Sequence, residues 1–336
     1  MSHKHHSISI HFAQAVVKAA LQQGLNEQQL LHDAGLSKAL LHNNEVRITP
    51  QQLSRLMQSV WRHADDEYLC LGSQPSRHGV FSMMAKQVLP SGNLRQVYRR
   101  GSRFYNLVAA ATDLRFEESE NGARFYLKLA DPELDPDHTL VDFLLLLWHR
   151  FPSWLIGQKI PLTKICFKHE KPAHFEEYRL MFPCEAVYGQ AENYFEFDRE
   201  ILNAPVIQTQ QNLSAYLRRC PLDWFQRQSY YPVYTRKVMD YLESAENMAD
   251  SSMEGVASQI HTTTRTLRRK LLDEGTSFQE LKDGVRRDEA IHYLSQPDVP
   301  ISQIARLLGF TEAAAFTRAF KHWTGISPSM YRKSKE

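Results

Sequence analysis

The sequence predicts an α+β domain over residues 1–228 followed by an all-α domain over 229–336 that carries two helix-turn-helix subdomains joined by a linker helix. Three observations predict this. Helical apolar spacing gives way near residue 113 to alternating, strand-like segments; an aromatic and proline-containing stretch follows at 213–234; beyond it two helix-turn-helix patterns stand in tandem. At 336 residues the chain is long enough for two cores of ordinary size, and its 43% hydrophobic and 23% charged residues are those of a globular protein.

In the first domain Ala15, Val16, Ala19 and Ala20 recur at helical spacing, and Pro50 opens another amphipathic stretch through Val60 and Trp61. From Asp113 the segment LRFEESENGARFYLKL alternates on both sides of Glu120, Asn121 and Gly122, and Asn-Gly is a strong hairpin signal. A long apolar helix is expected over 139–155, with strands at 164–168 and 194–198. Along that helix His138, Asp142, His149 and Ser153 fall near one face, which reads as a polar stripe turned to solvent. Pro221 and Pro232 limit helix continuity between the domains, and the boundary is placed between 228 and 229.

The second domain repeats itself. VASQIHTTTRTLRRKL (256–271) and IARLLGFTEAAAFTRAF (304–320) superpose with Ala257 on Ala305 and His261 on Gly309; a turn longer by one residue then brings Leu267 onto Phe316, Arg269 onto Arg318 and Leu271 onto Phe320. Ser251 with Glu254 and Ser277 with Glu280 fit capping boxes, Gly275 and Gly325 follow helical runs, and Pro328 forbids continuing the helix before it. A helix-turn-helix lays its second helix in the major groove of double-stranded DNA. With Leu267 and Leu271 buried, Thr264, Arg265, Arg268, Arg269 and Lys270 are left on other faces, and the planar fork of arginine matches the two acceptors of a guanine edge. In the second unit Phe316 and Phe320 are buried and Ala313, Ala314, Thr317, Arg318 and Lys321 exposed. Alanine can touch a thymine methyl but donates no hydrogen bond, so the second helix is expected to contribute less base discrimination and more phosphate binding. A helix over 277–294 should fix the spacing of the units through Leu281, Val285, Ala290, Ile291 and Leu294. The net charge is +2, but from Gly255 onward 13 Lys and Arg stand against 9 Asp and Glu, and Arg265, Arg268, Arg269 and Lys270 crowd one and a half helical turns.

Other chemistries lack a pattern. The four cysteines form no CxxC pair, there is no phosphate-binding glycine loop and no HExxH motif, and no nucleophile and base can be aligned, so neither an enzyme nor a cofactor is expected. Cys166, His169, His174 and Cys184 are soft-metal ligands in sequence order, yet Cys166 and His169 on one strand would point to opposite faces, and no metal site is assigned. His3, His5 and His6 read as part of a tail. The longest apolar run, Phe143 to Trp148, is far short of a membrane span, and the N-terminus has no export signal, which makes the cytoplasm the expected compartment.

Residues 235–333, above all GTSFQELKDGVRRDEAIHYL followed by PISQIARLLGFTEAAAFTRAFKHWTGISPSMYR, resemble the DNA-binding domain of AraC/XylS-type bacterial transcription regulators. The resemblance implies two subdomains inserting into successive major-groove segments on one DNA face, with base-contacting positions at Arg265, Arg268, Arg269, Ala313, Ala314, Thr317 and Arg318. His261 departs from it, because the family's turn usually carries glycine there. The first domain resembles the arabinose-binding-like regulatory domain of one subgroup, through DAGL at Asp33 to Leu36, LRFEES, and FKHEKPAHFEEYRLMFPCEAVYG from Phe167 to Gly189. Together they imply a regulator, activator rather than repressor by family habit, with a small-molecule effector, a homodimer and RNA polymerase as partners. The alternative is a ligand-independent DNA-binding regulator controlled by abundance or a protein partner. Phe81, Met84, Tyr105, Phe125 and Trp148 are the large apolar residues from which an effector pocket is guessed.

Overall fold

A seventeen-residue helix that is apolar around most of its circumference belongs inside a core, and in the computed structural model Thr139–Leu155 is buried along nearly its whole length. The structure describes residues 7–120, 122–225, 233–245, 248, 251–296 and 299–333; the expected boundary at 228 and 229 and the tail histidines His3, His5 and His6 lie outside them. In chain order the elements are β1 (Ile8–Ser9), α1 (Ile10–Gln22), α2 (Glu27–Ala34), α3 (Lys38–Leu41), β2 (Arg47–Ile48), α4 (Pro50–Ala64), α5 (Val80–Val88), α6 (Leu94–Val108), β3 (Thr112–Glu118), β4 (Ala123–Leu129), α7 (Thr139–Leu155), β5 (Leu162–Cys166), α8 (Tyr178–Met181), β6 (Ala186–Val187), β7 (Asn193–Phe197), α9 (Gln210–Arg219), α10 (Val233–Ser244), α11 (Met253–Gln259), α12 (Thr264–Asp273), α13 (Phe278–Leu294), α14 (Ile301–Leu307), α15 (Ala313–Thr324) and α16 (Pro328–Lys333). They fall into two compact units, one of residues 11–34 and 51–229, the other of 1–10, 35–50 and 230–336.

The unit of 11–34 and 51–229 is built on a five-stranded sheet in the order β3-β4-β7-β5-β6, antiparallel except for the β5–β6 pair. On β4 the buried Ala123, Phe125, Leu127 and Leu129 alternate with Arg124, Tyr126 and Lys128, which gives the sheet one core face. Phe125 lies 4.8 Å from the Trp148 ring of α7 and 5.5 Å from Tyr98 of α6. Gly101 lets α6 and α7 approach, since a Cβ there would lie 2.6 Å from the Trp148 ring. At the hairpin the Ser119 N–H donates to the Gly122 carbonyl (2.8 Å), so Gly122 closes the loop instead of sitting at its tip. Asn121 lies outside the described residues. β5 begins two residues before the expected strand, where an irregular register between Leu162 and Lys164 breaks the alternation that sequence reasoning relies on.

The polar stripe of α7 does not face solvent. Asp142, His149 and Ser153 are buried, because the sheet and the segments after it enclose the helix, and each takes a partner there. Tyr178 donates its hydroxyl to Asp142 Oδ2 (2.8 Å), His149 Nε2 lies 2.9 Å from the Ile160 carbonyl, and Ser153 Oγ donates to the His149 carbonyl (2.7 Å). Burial holds the Asp142 carboxyl well above the usual carboxylate range and pushes His149 down to about 3, so His149 is neutral at neutral pH.

In the other unit Val238, Met239, Leu242, Val256, Ala257, Leu267, Leu271 and Val285 form the core of the first helix-turn-helix. Ile304, Ala305, Leu308, Phe316, Phe320 and Tyr331 are buried in the second, and Ala290, Ile291 and Leu294 on the same linker helix α13 are buried as well. Ser277 and Glu280 make both bonds of the predicted capping box on α13. On α11 the cap falls one residue later than predicted: Ser252 accepts from the Gly255 N–H, while buried Ser251 presents its carbonyl to the Lys282 ammonium. Two segments from the start of the chain belong to this unit. Strands β1 and β2 pair, Arg47 donates to both the hydroxyl and the carbonyl of Ser7, Ser7 Oγ reaches Asp288 on α13, and Tyr331 on α16 donates to the Arg47 carbonyl (3.0 Å). Among the described residues no helix is long and apolar enough to cross a membrane.

Candidate nucleic-acid interface

Both helix-turn-helix units make their turn the same way. Thr262 N–H closes on the Ala257 carbonyl (2.8 Å) and Phe310 N–H on the Ala305 carbonyl (2.9 Å), each after a residue in the left-handed region, His261 (φ 53°) and Gly309 (φ 76°). The offset of 48 read from sequence is therefore an equivalence of backbone conformation. The extra residue follows it: four residues, 260–263, separate α11 from α12, and five, 308–312, separate α14 from α15. The caps differ as well. Thr263 accepts from the Thr266 N–H at the start of α12, whereas Glu312 at the start of α15 makes no side-chain cap.

With Leu267 and Leu271 of α12 buried, Arg265, Arg268 and Arg269 are exposed and Thr264 and Lys270 half-buried. Lys270 lies 5.7 Å from the Tyr234 ring. On α15 Ala313, Ala314, Arg318 and Lys321 are exposed and Thr317 half-buried, its hydroxyl donating to the Ala313 carbonyl (2.9 Å), which leaves Thr317 a methyl and lone pairs to offer. Arg265, Arg268, Arg269, Arg318 and Lys321 make no hydrogen bond or ion pair among the described residues. Ordinary solvated helix faces pair their charges at spacings of three or four; these do not.

The cations of the linker helix behave differently. Lys282 is buried on the Ser251 carbonyl, and Arg286 donates to the Leu308 carbonyl (3.0 Å) with its guanidinium 4.8 Å from the Phe310 ring; burial lowers both pKa values. They join subdomains and are no part of the charged surface. Arg306, exposed on α14 without a partner among the described residues, is a cation that sequence reasoning passed over. The signal was there, because the first helix of such a unit crosses the DNA backbone.

Of the guessed effector-pocket residues, Phe81 and Tyr105 line a small cavity of about 20 Å³, partly open to solvent, with Met57, Trp61, Glu67, Tyr68, Leu69, Leu140, Phe143, Leu144, Leu147 and Trp224. Met84, Phe125 and Trp148 are buried but lie outside that lining; Phe125 and Trp148 pack on each other between sheet and helices. Among the described residues no three or more His, Cys, Asp or Glu side chains are arranged to hold a metal ion, Cys166, His169, His174 and Cys184 included.

An α+β unit joined to twin helix-turn-helix units with bare cations defines a DNA-binding transcription regulator. The model of the arabinose-binding domain of AraC transcription regulators, N-terminal, matches residues 24–206, and that of a helix-turn-helix domain matches 256–334. The chain belongs to the AraC family of transcription regulators. It is 24% identical to the ornithine utilization regulator of Pseudomonas aeruginosa over 97% of this chain and 96% of that protein. It is 29% identical to the transcriptional regulator VirS of Mycobacterium tuberculosis over 49% of this chain and 48% of that protein. With a urease operon transcriptional activator of Escherichia coli it shares 33% identity over 29% of this chain and 32% of that protein.

Proposed function

We propose that this chain is a cytoplasmic transcription activator that answers to a small-molecule effector held by its N-terminal unit, works as a homodimer and engages RNA polymerase once docked on its operator. The observation that carries the DNA half is the set of exposed cations on α12 and α15, Arg265, Arg268, Arg269, Arg318 and Lys321, which take no partner among the described residues and whose opposite faces are buried. Arg265, Arg268 and Arg269 read guanine edges, with Thr264 beside them; Lys270 and Lys321 bind phosphate; Ala313, Ala314 and Thr317 meet thymine methyls, and Arg318 serves the second groove. Activation is supported by the printed function of the urease operon relative, and effector control by the match of the N-terminal unit to a ligand-binding family domain.

The test is a titration of the full chain against a duplex selected from a random pool. Arg269→Ala should weaken specific binding by about 1–3 kcal/mol and relax preference at one base pair. Lys321→Ala should weaken selected and random duplexes alike and lower the salt slope by about 1. Unchanged affinity and preference in Arg269→Ala would remove Arg269 from the base-reading set.

A further inference from the structure

We propose that Glu312, at the start of α15, sets the base preference of the second helix-turn-helix by accepting a hydrogen bond from the amino group of a cytosine in the major groove. The inference rests on the reading of α15 as a helix that enters DNA, and it names what that helix selects. Over the first turn, residues 312–315, Glu312 is the one side chain able to make a directed hydrogen bond, since Ala313, Ala314 and Ala315 follow it. Further along, the Thr317 hydroxyl is already engaged with the Ala313 carbonyl (2.9 Å). A recognition helix touches base edges with its N-terminal residues, so this acid stands where a reader stands.

The repeat shows that the carboxylate does not serve the helix. Thr263 holds the same place at the start of α12, and its hydroxyl accepts from the Thr266 N–H (3.2 Å). Glu312 shares the extended backbone, and its carbonyl accepts from the Ala315 N–H (3.1 Å) and the Phe316 N–H (3.3 Å), yet its side chain caps nothing. That side chain is exposed and takes no hydrogen bond or ion pair among the described residues, so Arg318 and Lys321 of the same helix are not its counter-charges. An acid without a partner, on a surface that meets phosphates, weakens binding to duplexes in general, and a donor on a base edge offsets that at one position. A carboxylate only accepts, so guanine N7 and O6 and thymine O4, which also only accept, repel it. Two amino groups donate in that groove. Adenine's lies between its own N7 and the O4 of the paired thymine, whereas cytosine's has the C–H edge of its own ring on one side, which leaves the carboxylate an approach free of a second acceptor.

The test titrates the full chain, by fluorescence anisotropy, against the duplex selected from a random pool, against versions of it with each base pair changed in turn, and against a random duplex. The parent is expected to prefer cytosine at one position by at least about fivefold over the other three bases. Glu312→Ala should lose that preference and bind the random duplex at least about twofold more tightly, because a like charge no longer faces the phosphates. Glu312→Thr gives α15 the cap that α12 already has, so the helix start stays formed, and the cytosine preference should still vanish. A preference profile in Glu312→Thr that matches the parent's, or weaker binding of the random duplex by Glu312→Ala, would overturn the proposal while leaving DNA binding in place. A parent that binds neither duplex would instead refute the reading of α12 and α15 as recognition helices.

Discussion

His261 holds a left-handed backbone at the tight turn of the first helix-turn-helix, where its counterpart Gly309 has no Cβ to strain. A side chain in that region is disfavoured by about 1–2 kcal/mol, part of which glycine gives back as greater freedom of the unfolded chain. His261→Gly should therefore stabilise the chain by about 0.5–1 kcal/mol in denaturant unfolding, with DNA affinity unchanged; a destabilised variant would show that the imidazole contributes a contact. Histidines in the other unit act by protonation. His11 stacks on His174 (3.9 Å) and His138 on His169 (4.0 Å), and burial pushes His138 and His174 down to about 4. The folded state keeps these two neutral while the unfolded chain takes up protons below 6.5, so their contribution is full above 6.5 and lost as pH falls towards 4. Asp135 and Glu67, raised by burial, work in the opposite sense, so the signature is a difference. The parent should lose more thermal stability than His138→Gln/His174→Gln between pH 6.5 and 4. Parallel slopes would contradict it. The special turn at 261 was legible because its meaning is local. The histidine cluster was not, because its rings arrive from three separate stretches of chain, around residues 11, 138 and 169–174.

Elements were legible in proportion to their length and regularity. Helix α7 occupies the residues expected of it and α13 starts at its predicted capping box, since helical periodicity over seventeen residues and a box of two reciprocal bonds leave little ambiguity. Strands of two residues, such as β1 and β2, have no period to detect, and it is they that carry the start of the chain onto α13 and α16. Which face of α7 meets solvent also escaped sequence reasoning, because enclosure by the sheet is decided by topology. The node of the β1–β2 attachment is Asp288, nearly buried, which accepts from Ser7 281 residues away and from Arg287. Asp288→Ala leaves the buried Ser7 hydroxyl proton without its acceptor, although Arg47 still donates to that hydroxyl, and should cost about 1–3 kcal/mol in thermal or denaturant unfolding. An unchanged midpoint would mean that the N-terminal segments contribute nothing to the helical unit.

At the scale of the molecule, two helix-turn-helix units share one compact body with the 17-residue helix between them, roughly 25 Å long at 1.5 Å per residue. Successive major-groove segments on one face of a duplex are about 34 Å apart, the span that two insertions by one chain have to match. The doubling was the plainest feature of the sequence, and the equivalent turn bonds at Thr262 and Phe310 give it a structural basis. The effector side was far less legible: two of five guessed residues line the cavity, since large apolar side chains that fill a core and those that border a void look alike in sequence. The account stands on two insertions into one duplex, and hydroxyl-radical footprinting on a selected operator measures that directly. Two protected stretches on the same face, about one helical turn apart, are predicted, with Arg269→Ala weakening one and Arg318→Ala the other. A single protected stretch, or two that fade together in either variant, would contradict it.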